Sequence, residues 1–264
     1  FKPFKSRSKR LHFFRTLIIT ISIASLLFSK ETIFSVLPLN NISYIHQILQ
    51  KGENIDTKNK EGYTPLMVAL DSSQISMAEY LISKGANINA VARSGVNPLL
   101  ISIQRTKINF AKKLIAKGAN VNAITRHGIT PLMLALNKTL STDFIGYLLE
   151  HGANVNYNTE DGWTPLMLAL HKNVRQKTIN LLIDNGANMD DSTNDGWTPL
   201  MFAVRSRIKI GFIKEIAKSS NIQAVTSDGL SAYSMAYTIG YTQALDLINY
   251  HIGKELNTTI LSYE

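Results

Sequence analysis

The side chains able to act as metal ligands, nucleophiles or proton carriers lie scattered along this chain of 264 residues. Its six histidines are His12, His46, His127, His151, His171 and His251, and no two share a metal-ligand spacing with a carboxylate between them. Cysteine is absent, which excludes thiolate metal sites, a cysteine nucleophile and a disulfide framework. There is no glycine-rich phosphate loop and no nucleophile elbow, so no catalytic residue, cofactor or metal is expected. The informative residue types are those of recognition. Trp163 and Trp197, the only tryptophans, occupy equivalent places in a repeated pattern, and tryptophan is enriched among interface hot spots. Arg93, Arg105, Arg126 and Lys138 form a basic series, followed by the acidic Glu160, Asp161, Asp190, Asp191 and Asp195. Blocks of opposite sign orient a partner of complementary charge, although a solvated mixed-charge surface reads the same way.

The elements that position these residues recur. Thr-Pro-Leu-Met-x-Ala followed by Leu or Val starts at Thr64, Thr130, Thr164 and Thr198, with a looser copy at Asn97, at intervals of 33 to 34 residues. The threonine hydroxyl suits a helix N-cap, and proline at the first helical position has no amide to lose. Leu66, Ala69 and Leu70 then share one face of a helix of about two turns. Asp71, Ser72 and Ser73 break it before a second apolar segment, Met77 to Ile82. Gly85 ends that segment, and a polar stretch leads to the next glycine as an exposed, hairpin-like finger. Two helices this short cannot bury their apolar faces alone and must stack on neighbours.

This unit closely resembles the ankyrin repeat. The copies are GYTPLMVAL with GANIN at 85–89, GVNPLLISI with GANVN at 118–122, GITPLMLAL with GANVN at 152–156, and GWTPLMLAL with GANMD at 186–190. A fifth opens with GWTPLMFAV and closes with SSNIQ at 219–223. The resemblance implies an all-α solenoid of helix-turn-helix units with β-hairpin-like fingers: a capping repeat at 30–56, five repeats at 57–224, a second cap at 225–252 and a polar tail at 253–264. Its Ile-, Asn- and Lys-rich repeats are similar to bacterial ones. Where the family's TPLH motif carries a histidine in a hydrogen-bond network, this chain has Met67, Leu100, Met133, Met167 and Met201, so apolar packing is expected instead. The resemblance also implies a non-catalytic protein-binding module that works through its fingers and the exposed side of its first helices. Carried over by position, the candidate contact residues are Tyr63, Arg93, Arg105, Arg126, His127, Lys138, Glu160, Asp161, Trp163, His171, Asn194, Asp195, Trp197 and Arg205. A membrane-tethered spacer without a tight ligand is the alternative.

The net charge of +9 is concentrated at one end. Lys2, Lys5, Arg7, Lys9, Arg10 and Arg15 supply +6 before any acidic residue, and the remainder of the chain is close to balance at +3. That excludes a basic nucleic-acid-binding face over the repeats. Behind those charges runs an apolar segment, Leu17 to Phe28. Residues 1–29 therefore read as a signal peptide or a membrane anchor, with export or tethering as the expected location, periplasmic or secreted in a bacterium. A helix capping the first repeat, in a cytoplasmic protein, is the remaining reading. The expected partner is a protein of unspecified identity, and a monomer is favoured.

Overall fold

Each Thr-Pro pair starts a helix by the same local device. Thr64, Thr130, Thr164 and Thr198 hold extended backbone, and each hydroxyl accepts a hydrogen bond from the amide three residues on, at 3.2–3.4 Å. Asn97 does the same for Leu100 at 2.9 Å, which explains how the looser copy keeps its helix. Proline occupies the first turn in all five.

The computed structural model describes residues 32–261, so the basic and apolar leader at 1–29 lies outside the described residues. In chain order the helices are α1 (Ile33–Val36), a 3-10 turn (Leu37–Leu39), α2 (Ile42–Gln50), α3 (Pro65–Asp71) and α4 (Ile75–Ser83). Then follow α5 (Pro98–Gln104), α6 (Ile108–Ala116), α7 (Pro131–Asn137), α8 (Thr142–Glu150), α9 (Pro165–His171) and α10 (Gln176–Asp184). The last are α11 (Pro199–Arg205), α12 (Ile210–Ser219), α13 (Ala232–Thr238) and α14 (Thr242–Leu261). Helices α4, α6, α8 and α10 stop ahead of glycines with φ of 83° to 89°, the left-handed conformation that closes a helix. The turns between paired helices were not foreseen as left-handed. Ser73, Thr106, Thr139, Asn173 and Arg207 all have φ of 48° to 58°, and for the β-branched Thr106 and Thr139 that backbone is strained.

Two compact units divide the described residues, one ending at Asn87 and one beginning at Ile88. In the first, α1 packs on α2 and α3 on α4. In the second, every first helix packs on the second helix of its own repeat, and α5, α7, α9, α11 and α13 pack successively in a row. Leu132, Met133, Ala135 and Leu136 of α7, with Phe144, Ile145 and Leu148 of α8, are essentially removed from water, and the other repeats repeat this core. Each such large side chain contributes about 1.5–3 kcal/mol. The architecture is an all-α repeat solenoid. Its fingers are tight turns: Thr159 N–H donates to Trp163 O at 3.0 Å and Gly162 N–H to Thr159 O at 2.9 Å, and the only bridge among the described residues is Val225 with Ser231. No helix of the described residues is long and apolar enough to cross a membrane.

The second asparagine of each Gly-Ala-Asn-x-Asn segment ties one repeat to the next. Asn89, Asn122 and Asn156 each accept the amide of Asn120, Asn154 or Asn188 at 2.8 Å. Each also donates its side-chain amide to the carbonyl of Gly118, Gly152 or Gly186 at 2.8–3.0 Å. Asp190 can only accept, and takes the Asn221 amide at 2.6 Å. Replacing Asn156 with alanine removes both bonds at one junction and is expected to lower the unfolding free energy by about 1–2 kcal/mol. Asn156→Asp, which keeps the acceptor alone, should lose roughly half as much; urea unfolding of the full chain measures both.

Candidate functional site

In the second unit, the fingers and the C-terminal ends of the first helices come together on one face. Trp163 closes the finger of α9, and the fixed length of that finger sets its indole 5.4 Å from the ring of His171, at the far end of the same helix. Phe202, one helix along, lies 4.9 Å from Trp163 and 5.9 Å from His171. Trp197 stacks on Phe202 from its own finger at 5.1 Å, and the Arg205 guanidinium sits 5.0 Å over the Trp197 ring. Phe202 is 3% exposed, whereas both tryptophans remain half-buried and His171 and Arg205 are exposed. The cluster thus has a buried floor and an accessible rim, a geometry that suits cation–π and ring stacking with an incoming group.

Next to it is a cleft of about 280 Å³ between the finger of α7 and that of α9. Ile129, Met133, Trp163 and Leu168 form its apolar lining, and His127, Asp161, His171 and Lys172 stand among its polar residues. Burial first, then the positive charges of Lys172 and Arg205, hold the His171 pKa below its ordinary value. Folding therefore favours the neutral ring, and the unfolded chain binds that proton more readily. The stability tied to His171 is present above an ordinary pKa near 6.5 and is lost as pH falls through the lowered folded value. Acidification from about pH 7.5 to about pH 5 should consequently lower the melting temperature of the wild type more than that of His171→Asn, by a small margin because the ring is largely exposed.

Of the sequence-derived candidates, His127, Asp161, Trp163 and His171 line the cleft, and Trp197 and Arg205 join it through the aromatic cluster. Glu160, Asn194 and Asp195 are exposed on the neighbouring fingers, where the Glu160 carbonyl accepts the Asn194 side-chain amide at 2.8 Å. Arg93, Arg105 and Arg126 are exposed in the second unit and Lys138 is half-exposed, but none of the four lines the cleft. Tyr63 is half-buried and belongs to the first unit. His151 is a helix-end residue, its Nδ1 2.8 Å from the Tyr147 carbonyl. Two residues of the site were missed. Phe202 is the one aromatic at a position otherwise held by Val68, Ile101, Leu134 and Leu168, and Tyr157 is the one aromatic at a position otherwise held by Ala90, Ala123, Asp191 and Ala224. Both departures from the repeat were readable as signals. Among the described residues no three His, Asp or Glu side chains converge to hold a metal ion.

A row of paired short helices with turn fingers, carrying its variable aromatic and charged residues on one face, is the architecture of a repeat solenoid built for interaction. The chain belongs to the ankyrin-repeat family: the family model for ankyrin repeats matches residues 33–125, 85–159, 103–193 and 141–228. Among curated proteins none matches it. Ankyrin repeats are typically non-enzymatic interaction modules.

Proposed function

We propose that this protein is a non-catalytic binding module that holds a protein partner against the fingers and first helices of its second unit. The observation that supports this reading is the aromatic cluster of Trp163, His171, Phe202 and Trp197, capped by Arg205 and placed at an accessible rim beside a cleft. Stacking between indoles and a buried phenylalanine orders the two tryptophans before a partner arrives, which reduces the entropy lost on binding. The exposed acidic residues of the later fingers, Glu160, Asp161 and Asp195, add a charge preference on the same face. Trp163→Ala with Trp197→Ala should weaken recovery of the cross-linked native partner at least tenfold while circular dichroism at low temperature shows unchanged helix. Unchanged recovery would remove the face from consideration.

The second part of the reading concerns location. The leader at 1–29, with six basic residues before an apolar segment, supports export or membrane tethering of the repeats. Fractionation of cells followed by N-terminal sequencing of the mature chain tests it. Recovery of the complete leader on a soluble protein from the cytoplasm would refute both forms.

A further inference from the structure

Neighbouring fingers of the second unit are tied to one another, with one exception. Arg126 N–H donates to Ser94 O at 2.9 Å, Asn194 N–H to Asp161 O at 3.1 Å, and Ser227 N–H to Asp195 O at 2.9 Å. The equivalent pair, the Glu160 amide and the His127 carbonyl, makes no such bond among the described residues. The glycines report the same opening. A Cβ built on Gly95, Gly162 or Gly196 would come within 2.6–2.7 Å of the next finger's backbone. On Gly128 it would meet nothing nearer than the Thr159 side chain at 3.5 Å and the Tyr157 hydroxyl at 3.6 Å.

Tyr157 accounts for the gap. It stands where the smaller Ala90, Ala123, Asp191 and Ala224 stand in other repeats, and its phenol hydroxyl reaches to Gly128 at the widened junction. The cleft lined by His127, Trp163 and Asp161 lies at this junction. Its volume, about 280 Å³, is near twice that of an apolar cavity of about 150 Å³ that accepts benzene, so one aromatic side chain enters with room to spare.

We propose that this cleft is a socket for one aromatic side chain of an extended segment of the partner protein, with a basic residue beside it on the finger side. The proposal rests on the binding face described under Proposed function. Trp163 offers a ring to stack on, and the half-buried Ile129 and Leu168 add apolar surface beside it. The charges at the cleft select the flanking residue: Asp161, with Glu160 next to it, lies on the finger side, and Lys172 lies at the helix end. A cation is attracted to the first and repelled by the second, so the segment's direction is set. An extended backbone passing between the fingers can pair with the Glu160 amide and the His127 carbonyl, as an added strand pairs with a free edge.

A random seven-residue peptide library displayed on phage and selected on the full chain tests the socket. Expected is enrichment of Phe, Tyr or Trp next to Lys or Arg, and a synthetic peptide of that pattern should lose at least tenfold in affinity on Tyr157→Ala, which lets the fingers close. Asp161→Lys, at an exposed position that the fold does not need, should shift the enriched neighbour from basic to acidic. Arg93→Ala with Arg105→Ala should leave the peptide's affinity unchanged. Selection of peptides without an aromatic residue, or wild-type affinity in both Tyr157→Ala and Asp161→Lys, overturns the socket. If the socket fails while the paired tryptophan variant still loses the native partner, the binding face stands and only this occupant is wrong. If the paired variant keeps the partner, the face falls and the socket with it.

Discussion

Gly162→Ala is expected to lower the unfolding free energy by about 3–5 kcal/mol, against about 1–2 kcal/mol for Gly128→Ala one repeat earlier. Both glycines have left-handed backbone, with φ of 82° and 68°, so both substitutions carry the conformational cost of a side chain in that region. The surroundings separate them. At Gly162 the new methyl would lie 2.7 Å from Thr193 Cα and 2.9 Å from both the Asn194 nitrogen and the Ser192 oxygen, all of them backbone atoms of the next finger. Those atoms must move, and moving them breaks the Asn194 amide's bond to the Asp161 carbonyl and disturbs the support under Trp197. At Gly128 the nearest atoms are side-chain atoms at ordinary contact distance, so only the backbone strain remains. Thermal or urea unfolding of the two variants gives the comparison directly. Equal losses would mean that the finger row is as closed at Gly128 as elsewhere, and the gap at Tyr157 would lose its physical basis.

The contrast between these glycines also marks what the sequence could tell. Helix starts at Thr64, Thr130, Thr164 and Thr198, and helix ends at Gly85, Gly118, Gly152 and Gly186, were legible because a cap or a stop depends on residues within three or four positions. Stacking followed from helices too short to bury their own faces. The site was legible only in part. Position within the repeat brought Trp163, Trp197, His171 and Asp161 into consideration, but the cluster is completed by Phe202 and the gap is made by Tyr157, and both act on residues about one repeat away. A repeat consensus treats such positions as interchangeable, so the departure of a single residue carries the information. The basic series fared differently for the same reason: Arg93, Arg105, Arg126 and Lys138 are aligned along the sequence, yet the cleft is built at one junction and draws on none of them. The fingers were legible as exposed turns around a glycine, and a span of five residues closed by two bonds is too short for a strand ladder to propagate from it.

Met167→Ala is expected to cost about 2–5 kcal/mol, Met167→Leu less than about 1.5 kcal/mol, and Met167→His a loss between the two. Met167 is 0% exposed, and Met67, Met133 and Met201 are equally enclosed. Its amide is already used, donating to the Thr164 hydroxyl at 3.3 Å, so the side chain has no capping duty and contributes by filling space. Truncation leaves a cavity, whereas leucine keeps most of the volume in a stiffer shape. Histidine is the informative substitution, because it restores the residue usual in the family's TPLH motif. The adjacent Leu166, Ala169 and Leu170 are fully buried apolar residues, and the other repeats offer methionine or leucine at the same position. An imidazole placed there must find its hydrogen bonds from the backbone alone or bear the cost of burying an unpaired polar group. Destabilisation of Met167→His beyond Met167→Leu in urea unfolding would establish that packing has replaced the polar network in this stack. Stabilisation would mean that the backbone still presents the network's partner groups, and that the methionines occupy a polar site that has kept its geometry.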